Sequence, residues 1–329
     1  MKLSTRLALA MVALVLLTTA ALGVLIYRNI ATLILPRALD RVETHARLTA
    51  LVLEASLRGA RADAIGFQAA IGVHDVMMAR LENPSTTLSA AEIEWRRRLG
   101  LRFAAELAGK PDYLQFRVIG VDDGGRELVR VDRSGPGGTI RMVGDADLQR
   151  EGDEDYFKKT IALPANSVFV SRIDLNRESG VIGTPHTPTF RTAAPIIAPD
   201  GKPFGIVVIN VDLRPAIGRI RDSVVGSTQV YLVNDSGDYL LHPDPNREFG
   251  FERGKRERIQ DDFPAFAEIL NKPDTEPLVM EDRTGQRFGI GWETVELAGG
   301  PRVTVIEANP YDILMRVPTA VSSSSLIGG

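Results

Sequence analysis

The 329-residue chain has no cysteine, so no disulfide framework can staple it and no thiolate can hold a metal. Histidine is scarce as well. The four present are His45, His74, His186 and His242, and no two have the His-Glu-x-x-His spacing of a zinc site; His74-Asp75 reads as a solvated pair. No metal or cofactor is therefore expected. The serines of "NDSGDY" and "SSSS" lack the G-x-S-x-G elbow and a placed histidine, so no nucleophilic triad can be named. "GPGG" at 135–138 follows no parallel strand and opens no helix, which makes it a loop and not a phosphate cradle. Long runs of one charge are missing too: 39 Lys and Arg face 42 Asp and Glu, for a net charge of -3. The densest basic patch, "WRRRLGLR", falls on the polar face of a helix, and nucleic acid is not an expected partner.

Charge is also absent from Leu7 to Tyr27, and this absence is the informative one. "LALAMVALVLLTTAALGVLIY" is about as long as a helix must be to cross a bilayer. Small residues at Thr18-Thr19-Ala20 would suit a cleavable signal. The apolar stretch runs past them to Tyr27, an interfacial aromatic, which favours an uncleaved anchor. Lys2 and Arg6 precede it and Arg28, Arg37 and Arg41 follow, so charge alone does not orient the span. The short leader and long following domain favour a cytoplasmic N-terminus, with most of the chain outside the cytoplasm.

From Pro36 to about Arg80, Leu39, Val42, Ala46, Thr49, Leu53 and Leu57 recur at helical spacing. This predicts one long stalk helix, continuous with the span and ended by "NPSTTL". "SAAE" then offers a capping box between Ser89 and Glu92 for a second helix reaching about Ala108. From Tyr113 the period becomes alternating. Two strands, a short helix "DEDYFKKTIAL" capped by Asp153, and three strands "SVFVSRIDL", "TFRTAAPIIA" and "FGIVVINVD" are expected in that order. The helix "LRPAIGRIRDSVV" follows, and then the pattern repeats: a hairpin, the short helix "FPAFAEIL", and three strands ending at "PRVTVIEANP". The fold class is thus α+β, with two tandem five-stranded antiparallel modules. Three acidic-glycine turns, in "VDDGGRE", "APDGKP" and "NDSGDY", close their hairpins because Gly tolerates positive φ and Asp bonds nearby backbone.

The phrases "YLQFRVIGVDDGGRELVRVDR", "LQREGDEDYF", "VFVSRIDLNRESG", "FRTAAPIIAPDGKPFGIVVINVDLRP" and "VYLVNDSGDYLLHPDP" fall in order over about residues 110–250. In these the chain resembles the double-Cache (PAS-like) extracytoplasmic sensor regions of bacterial transmembrane receptors, of the histidine kinase type. The resemblance implies an anchor over 1–28, a helical stalk over 29–110, a membrane-distal Cache module over 111–213 and a membrane-proximal one over 214–312. Residues 313–329 resemble the start of a second span. It also implies residence in the bacterial inner membrane, a periplasmic sensor and a homodimer through the N-terminal helix.

A pocket between the distal sheet and the short helix would be supplied by Tyr156, Phe157, Arg172, Asp174, Asn176, Arg191 and Asp212. Arg172 and Arg191 can fork onto a carboxylate while Asp174 and Asp212 accept from an ammonium group, so together they could read a zwitterion. The relatives usually carry Lys and Arg at the positions of Glu151 and Glu154; here both are acidic. Either the pocket has lost cations that would meet a carboxylate, or it prefers an amine or cation. The ligand class, whether amino acid, amine or carboxylate, stays open. The expected function is ligand sensing in a two-component receptor, with no catalysis in these residues. A diguanylate cyclase or chemoreceptor sensor, a membrane-anchored envelope enzyme and a plain interaction module are the alternatives.

Overall fold

The computed structural model describes residues 3–29, 33–83, 87–134, 138–178, 180–272, 276–297 and 300–315. Helix α1 (Leu3–Asn29) holds the apolar span, and its Met11–Arg28 window is long and apolar enough to cross a membrane and packs against nothing. Whether it runs unbroken into the stalk falls on residues 30–32, outside the described set, as do most of "GPGG", part of "NPSTTL", "SSSS" and the proposed second span beyond Met315.

The stalk is α2 (Leu35–Gln68), opened by Pro36 in its first turn. The long helix expected to reach Arg80 is instead broken at Ala69-Ala70, where Ala70 is extended (φ −70°, ψ 137°), and resumes as α3 (Ile71–Glu82). No proline or glycine marks that break. The turn brings α3 back onto α4 (Ala90–Gly109), where Leu99 and Phe103 bury their side chains. Only half of the expected capping box forms. Ser89 Oγ accepts the Glu92 amide at 3.1 Å, but the Glu92 carboxylate is fully buried and pairs with Arg96 and, at 3.7 Å, with Arg80. A buried carboxylate is costly without a cation, so the ion pairs outcompete the second cap bond.

Strands β1 (Tyr113–Gly120), β2 (Glu127–Arg133), β3 (Ile140–Met142), β4 (Phe169–Val170), β5 (Asp174–Leu175), β8 (Pro188–Ile197) and β9 (Pro203–Asp212) form the first sheet; β6 (Arg177–Glu178) and β7 (Val181–Ile182) are a separate small ribbon. Its five principal strands lie in the order β2-β1-β9-β8-β4. The second sheet, β10 (Gln229–Asn234), β11 (Tyr239–Leu241), β12 (Leu278–Glu281), β13 (Arg287–Glu296) and β14 (Arg302–Pro310), has the order β11-β10-β14-β13-β12. Counted within each module, both read second-first-fifth-fourth-third. Two antiparallel sheets of one topology are what the repeated pattern implied, although the first is widened to seven strands by β3 and β5 and the strand expected at "SVFVSRIDL" is split in two. The short helix is Asp155–Ile161; Asp153 does not cap it but lies exposed beside Lys158. Turn chemistry is as expected at Gly201 (φ 83°), where Asp200 accepts the Lys202 amide at 3.0 Å. In the β10–β11 hairpin Asn234, not an aspartate, caps the turn amides of Ser236 and Asp238.

One continuous core joins the sheets. Leu53, Leu57, Ala60 and Phe67 of α2 meet Phe116, Val207 and Phe190 of the first sheet, and Val230, Leu232, Val303 and Val305 of the second complete the same cluster. The N-terminal half of α2 lies across β13 and β14 so closely that a Cβ on Gly291 would come within 2.6 Å of the Glu43 backbone nitrogen, a contact only glycine permits. Further along, Thr192 Oγ1 donates to the Ala60 carbonyl at 3.2 Å. The opposite face of the second sheet buries Tyr231, Tyr239, Phe288, Ile290 and Trp292 under Phe263 and Phe266. There Asp262 accepts from Tyr239 Oη at 2.6 Å and pairs with Arg247 at 2.7 Å. Burial would raise its pKa, but His242, Arg247 and Tyr239 outweigh burial and hold the carboxyl well below the usual range.

Where α2 enters and β14 leaves, His45 Nδ1 pairs with the buried Glu307 carboxylate, whose other oxygen accepts from Asn309 at 3.1 Å. Burial pushes the Glu307 pKa up, and His45 opposes it. Replacing His45 by Ala should therefore lower stability by about 1–3 kcal/mol, because it strands a desolvated carboxylate. Thermal unfolding followed by circular dichroism should show the loss, and adding Glu307→Gln should recover most of it; equal melting of all three proteins would refute the role of the pair.

Candidate functional site

The first sheet is buried on both faces, and its two faces differ. Along β1, Phe116 and Val118 point to the common core, while Gln115 and Arg117 alternate with them on the other side. Asn210 of β9 and Arg191 of β8 share that second face, where Ile119, Ala193, Ile206 and Val208 pack under Tyr156 and Phe157 of the short helix. Beyond this apolar patch opens a cavity of about 1350 Å³. Its far wall comes from the second module, including Asp235, Asp238, Arg256 and Arg302. The expected location, between sheet and short helix, thus covers one side of a space that both modules enclose.

Tyr156 lines the cavity on the side of the short helix. Its hydroxyl donates to Glu151 Oε2 at 3.1 Å, and the guanidinium carbons of Arg117 and Arg191 lie 5.4 and 5.9 Å from its ring centroid. Burial lifts the Tyr156 pKa far above the ordinary phenol value, so it is a neutral donor at every working pH. Arg117 is nearly inaccessible. Nη1 reaches Glu151 at 3.2 Å and Glu127 at 3.4 Å, Nη2 reaches Asn210 at 3.3 Å, and its buried Nε donates to no protein atom. Arg130 lies directly opposite Arg117 on β2, and Asp132 compensates it with two contacts of 2.9 and 3.0 Å. Burial also raises the Glu127 carboxyl, against the pull of Arg117, the Gln149 amide and Arg130.

Four of the residues singled out from sequence meet at this cavity: Tyr156, Arg172, Asp174 and Arg191. Arg191 Nη1 holds Asp174 at 3.0 and 3.3 Å. Arg172 is exposed to the cavity and has no carboxylate within 4 Å among the described side chains. Phe157 packs beneath the lining as part of its apolar support. Asn176 and Asp212 are not brought to the cavity. Asn176 stands at the foot of the β6–β7 ribbon, its amide bonded to the Thr187 carbonyl at 2.8 Å. Asp212 ends β9 and is taken up by Arg214, accepting the Arg214 amide at 2.8 Å and its Nε at 2.9 and 3.0 Å. A strand-end aspartate followed two residues later by arginine at a helix start satisfies itself locally, and the sequence reading missed this.

Arg117, Glu127, Arg130 and Asn210 were missed as well. Gln115 and Arg117 on β1, and Arg130 and Asp132 on β2, alternate with apolar neighbours and carried a signal, whereas Glu127 and Asn210 stand outside such an alternation. Glu151 and Glu154, noted as departures from the relatives, both line the cavity. Among the described residues no cluster of three or more His, Asp or Glu is placed to hold a metal ion.

Residues 110–271 match a family model described as the bacterial histidine kinase sensor domain. Over those residues, just under half of the chain, it is similar to such a sensor domain. Its sheets, stalk and order of elements are those of a double-Cache sensory region, and solved structures agree over nearly their whole length. A sensory box/GGDEF family domain from Vibrio parahaemolyticus superposes with a TM-score of 0.61 at 18% identity, covering 84% of this chain and 99% of its own. The extracellular domain of the histidine kinase vpHK1S-Z8 gives 0.58 at 17% over 84% and 99%. The periplasmic sensory domain of the Campylobacter jejuni chemoreceptor Tlp1 gives 0.56 at 11% over 84% and 96%. No curated protein matches the chain. At such identities the chain shares its fold with these structures.

The cavity's two kinds of arginine are separable by stability. Arg117→Ala strips the cation from two buried carboxylates and should cost about 3–5 kcal/mol. Arg172→Ala removes an exposed side chain without an ion pair and should stay within about 0.5 kcal/mol of wild type. Equal losses in chemical denaturation would contradict this division between frame and free lining.

Proposed function

We propose that the chain is the ligand-reading part of a transmembrane sensor histidine kinase, anchored by α1 in the bacterial inner membrane with its sheets in the periplasm. In this reading residues 1–28 are the anchor, 29–110 the stalk, 111–213 the membrane-distal module and 214–312 the membrane-proximal one. The ligand is a small zwitterion of the amino-acid class, held in the large cavity. The observation that carries this is the pairing of opposite charges around one aromatic. Arg172 and Arg191 can grip a carboxylate, Glu151 and Asp174 can accept from an ammonium group, and the Tyr156 ring lies between Arg117 and Arg191. The acidic Glu151 and Glu154 then serve the amine end, which answers the departure from the relatives' basic residues. Occupancy signals only if the ligand binds two arrangements of the module unequally.

Thermal shift of the full chain in nanodiscs, screened against amino acids, amines and simple carboxylates, tests this. An amino acid should stabilise it saturably, by about 2.7 kcal/mol at a hundred times Kd. Arg172→Ala should weaken that binding about tenfold without altering the unliganded melting point. Stabilisation by amines or carboxylates alone, or by none of them, would overturn the zwitterion assignment.

The stalk supports a homodimer in the same reading. Its solvent side presents Leu48, Leu51, Ala55, Gly59, Ala62 and Gly66 at steps of three or four, with Leu48 57% and Leu51 45% exposed. Open space lies over Gly59 and Gly66, so a second α2 can approach closely. Because the chain lacks cysteine, a single Ala62→Cys should give a disulfide-linked dimer on mild oxidation in nanodiscs carrying two copies, whereas Arg98→Cys on α4 should not. The reverse pattern would place the contact elsewhere.

A further inference from the structure

A second, smaller cavity of about 280 Å³ lies between the modules, away from Tyr156. It is bounded by the end of the first sheet, by the linking helix Arg214–Asp222 that joins β9 to β10, and by the loop after β11. Its size is just below the usual range of ligand pockets, roughly 300–1000 Å³, which restricts it to a small ligand.

Three features set it apart from a packing gap. The linking helix carries Gly218 at its centre, facing this cavity, and a Cβ there would meet nothing within 4 Å. Glycine weakens a helix interior, and here no close backbone approach requires it. What it does is leave the cavity floor open. Next, Phe249 lines the space in a left-handed conformation (φ 52°), an uncommon and strained state for a bulky residue, while being almost completely buried. Third, the polar rim is cationic. Arg214 is neutralised by Asp212 and Arg221 by Glu248, but Arg253 reaches only the Asn246 backbone carbonyl and has no carboxylate partner within 4 Å among the described side chains. Leu175, Ile217 and Phe249 supply the apolar part of the lining.

We propose that this inter-module cavity is a second ligand site, which takes a small monocarboxylate with an apolar tail. The carboxylate sits on Arg253, with Arg221 within reach once it exchanges Glu248 for the ligand, and the tail lies over Gly218 against Ile217 and Phe249. Such a ligand would bridge the linking helix and the second module. The assignment does not depend on what the large cavity binds.

Titration of the full chain in nanodiscs with hexanoate, followed by isothermal calorimetry, is the test, with hexylamine and inorganic phosphate as comparison probes. Hexanoate should bind saturably and better than either. Gly218→Leu fills open space, so it should abolish binding while keeping or raising the melting temperature. Arg253→Ala should weaken binding about tenfold, or about 1.4 kcal/mol. Arg172→Ala, in the large cavity, should leave hexanoate affinity unchanged. The proposal fails if hexanoate does not bind, if phosphate binds as well as hexanoate, if Gly218→Leu binds normally, or if Arg172→Ala removes binding and so moves the site to the large cavity.

Discussion

The arrangement depends on one helix serving two sheets. Helix α2 buries Leu53, Leu57 and Phe67 in a cluster that includes strands of both modules, and its first half lies against the glycine face of β13. Each fully buried leucine contributes about 1.5–3 kcal/mol relative to exposure, so a displacement of the helix that uncovers even two of them is expensive. A change of shape in either sheet that kept this packing would have to carry α2 with it. That is the mechanical property a membrane-tethered sensor needs.

Charge compensation governs the other face of the first sheet. Placing Arg117 and Arg130 opposite each other inside a protein would be prohibitive without nearby anions, and Glu127, Asp132 and Glu151 supply them. The resulting network fixes the cavity floor, with Tyr156 stacked near two guanidinium groups. Around that fixed floor stand groups less committed to one another, such as Arg172 and Arg302. A stable frame with a few uncommitted charges is how a site keeps its shape and still gains from a ligand.

An ion pair joins the start of the stalk to the end of the last strand. His45 lies near the start of the stalk and Glu307 near the end of the last strand, so their pair joins the segment that enters the sensory region to the one that leaves it. With Arg47 reaching Glu293 at 3.1 Å, α2 is held to the second sheet by charge as well as by packing. Any movement of α2 against β14 must strain these contacts, which lie in the first half of α2.

Local pattern was enough for much of this. The uncharged stretch from Leu7 to Tyr27, the helical spacing of Val42 to Leu57, the alternation after Tyr113 and the Gly201 and Gly237 turns all depend on neighbours within a few residues, and each element formed where those neighbours predicted. Of the candidate residues, Tyr156 lies on the short helix, Arg172 and Asp174 on the neighbouring β4–β5 segment and Arg191 on β8, which pairs with that segment. The break at Ala69-Ala70 was not legible, since alanine favours helix and only packing of α3 on α4 stops it there. Nor were the roles of Asp212, claimed by Arg214 two residues on, or of Arg117, whose partners Glu151 and Asn210 are 34 and 93 positions away. Sequence determines periodicity because periodicity is a property of adjacent residues; which buried charge meets which is decided by sheet order, and that exists only once distant strands have paired.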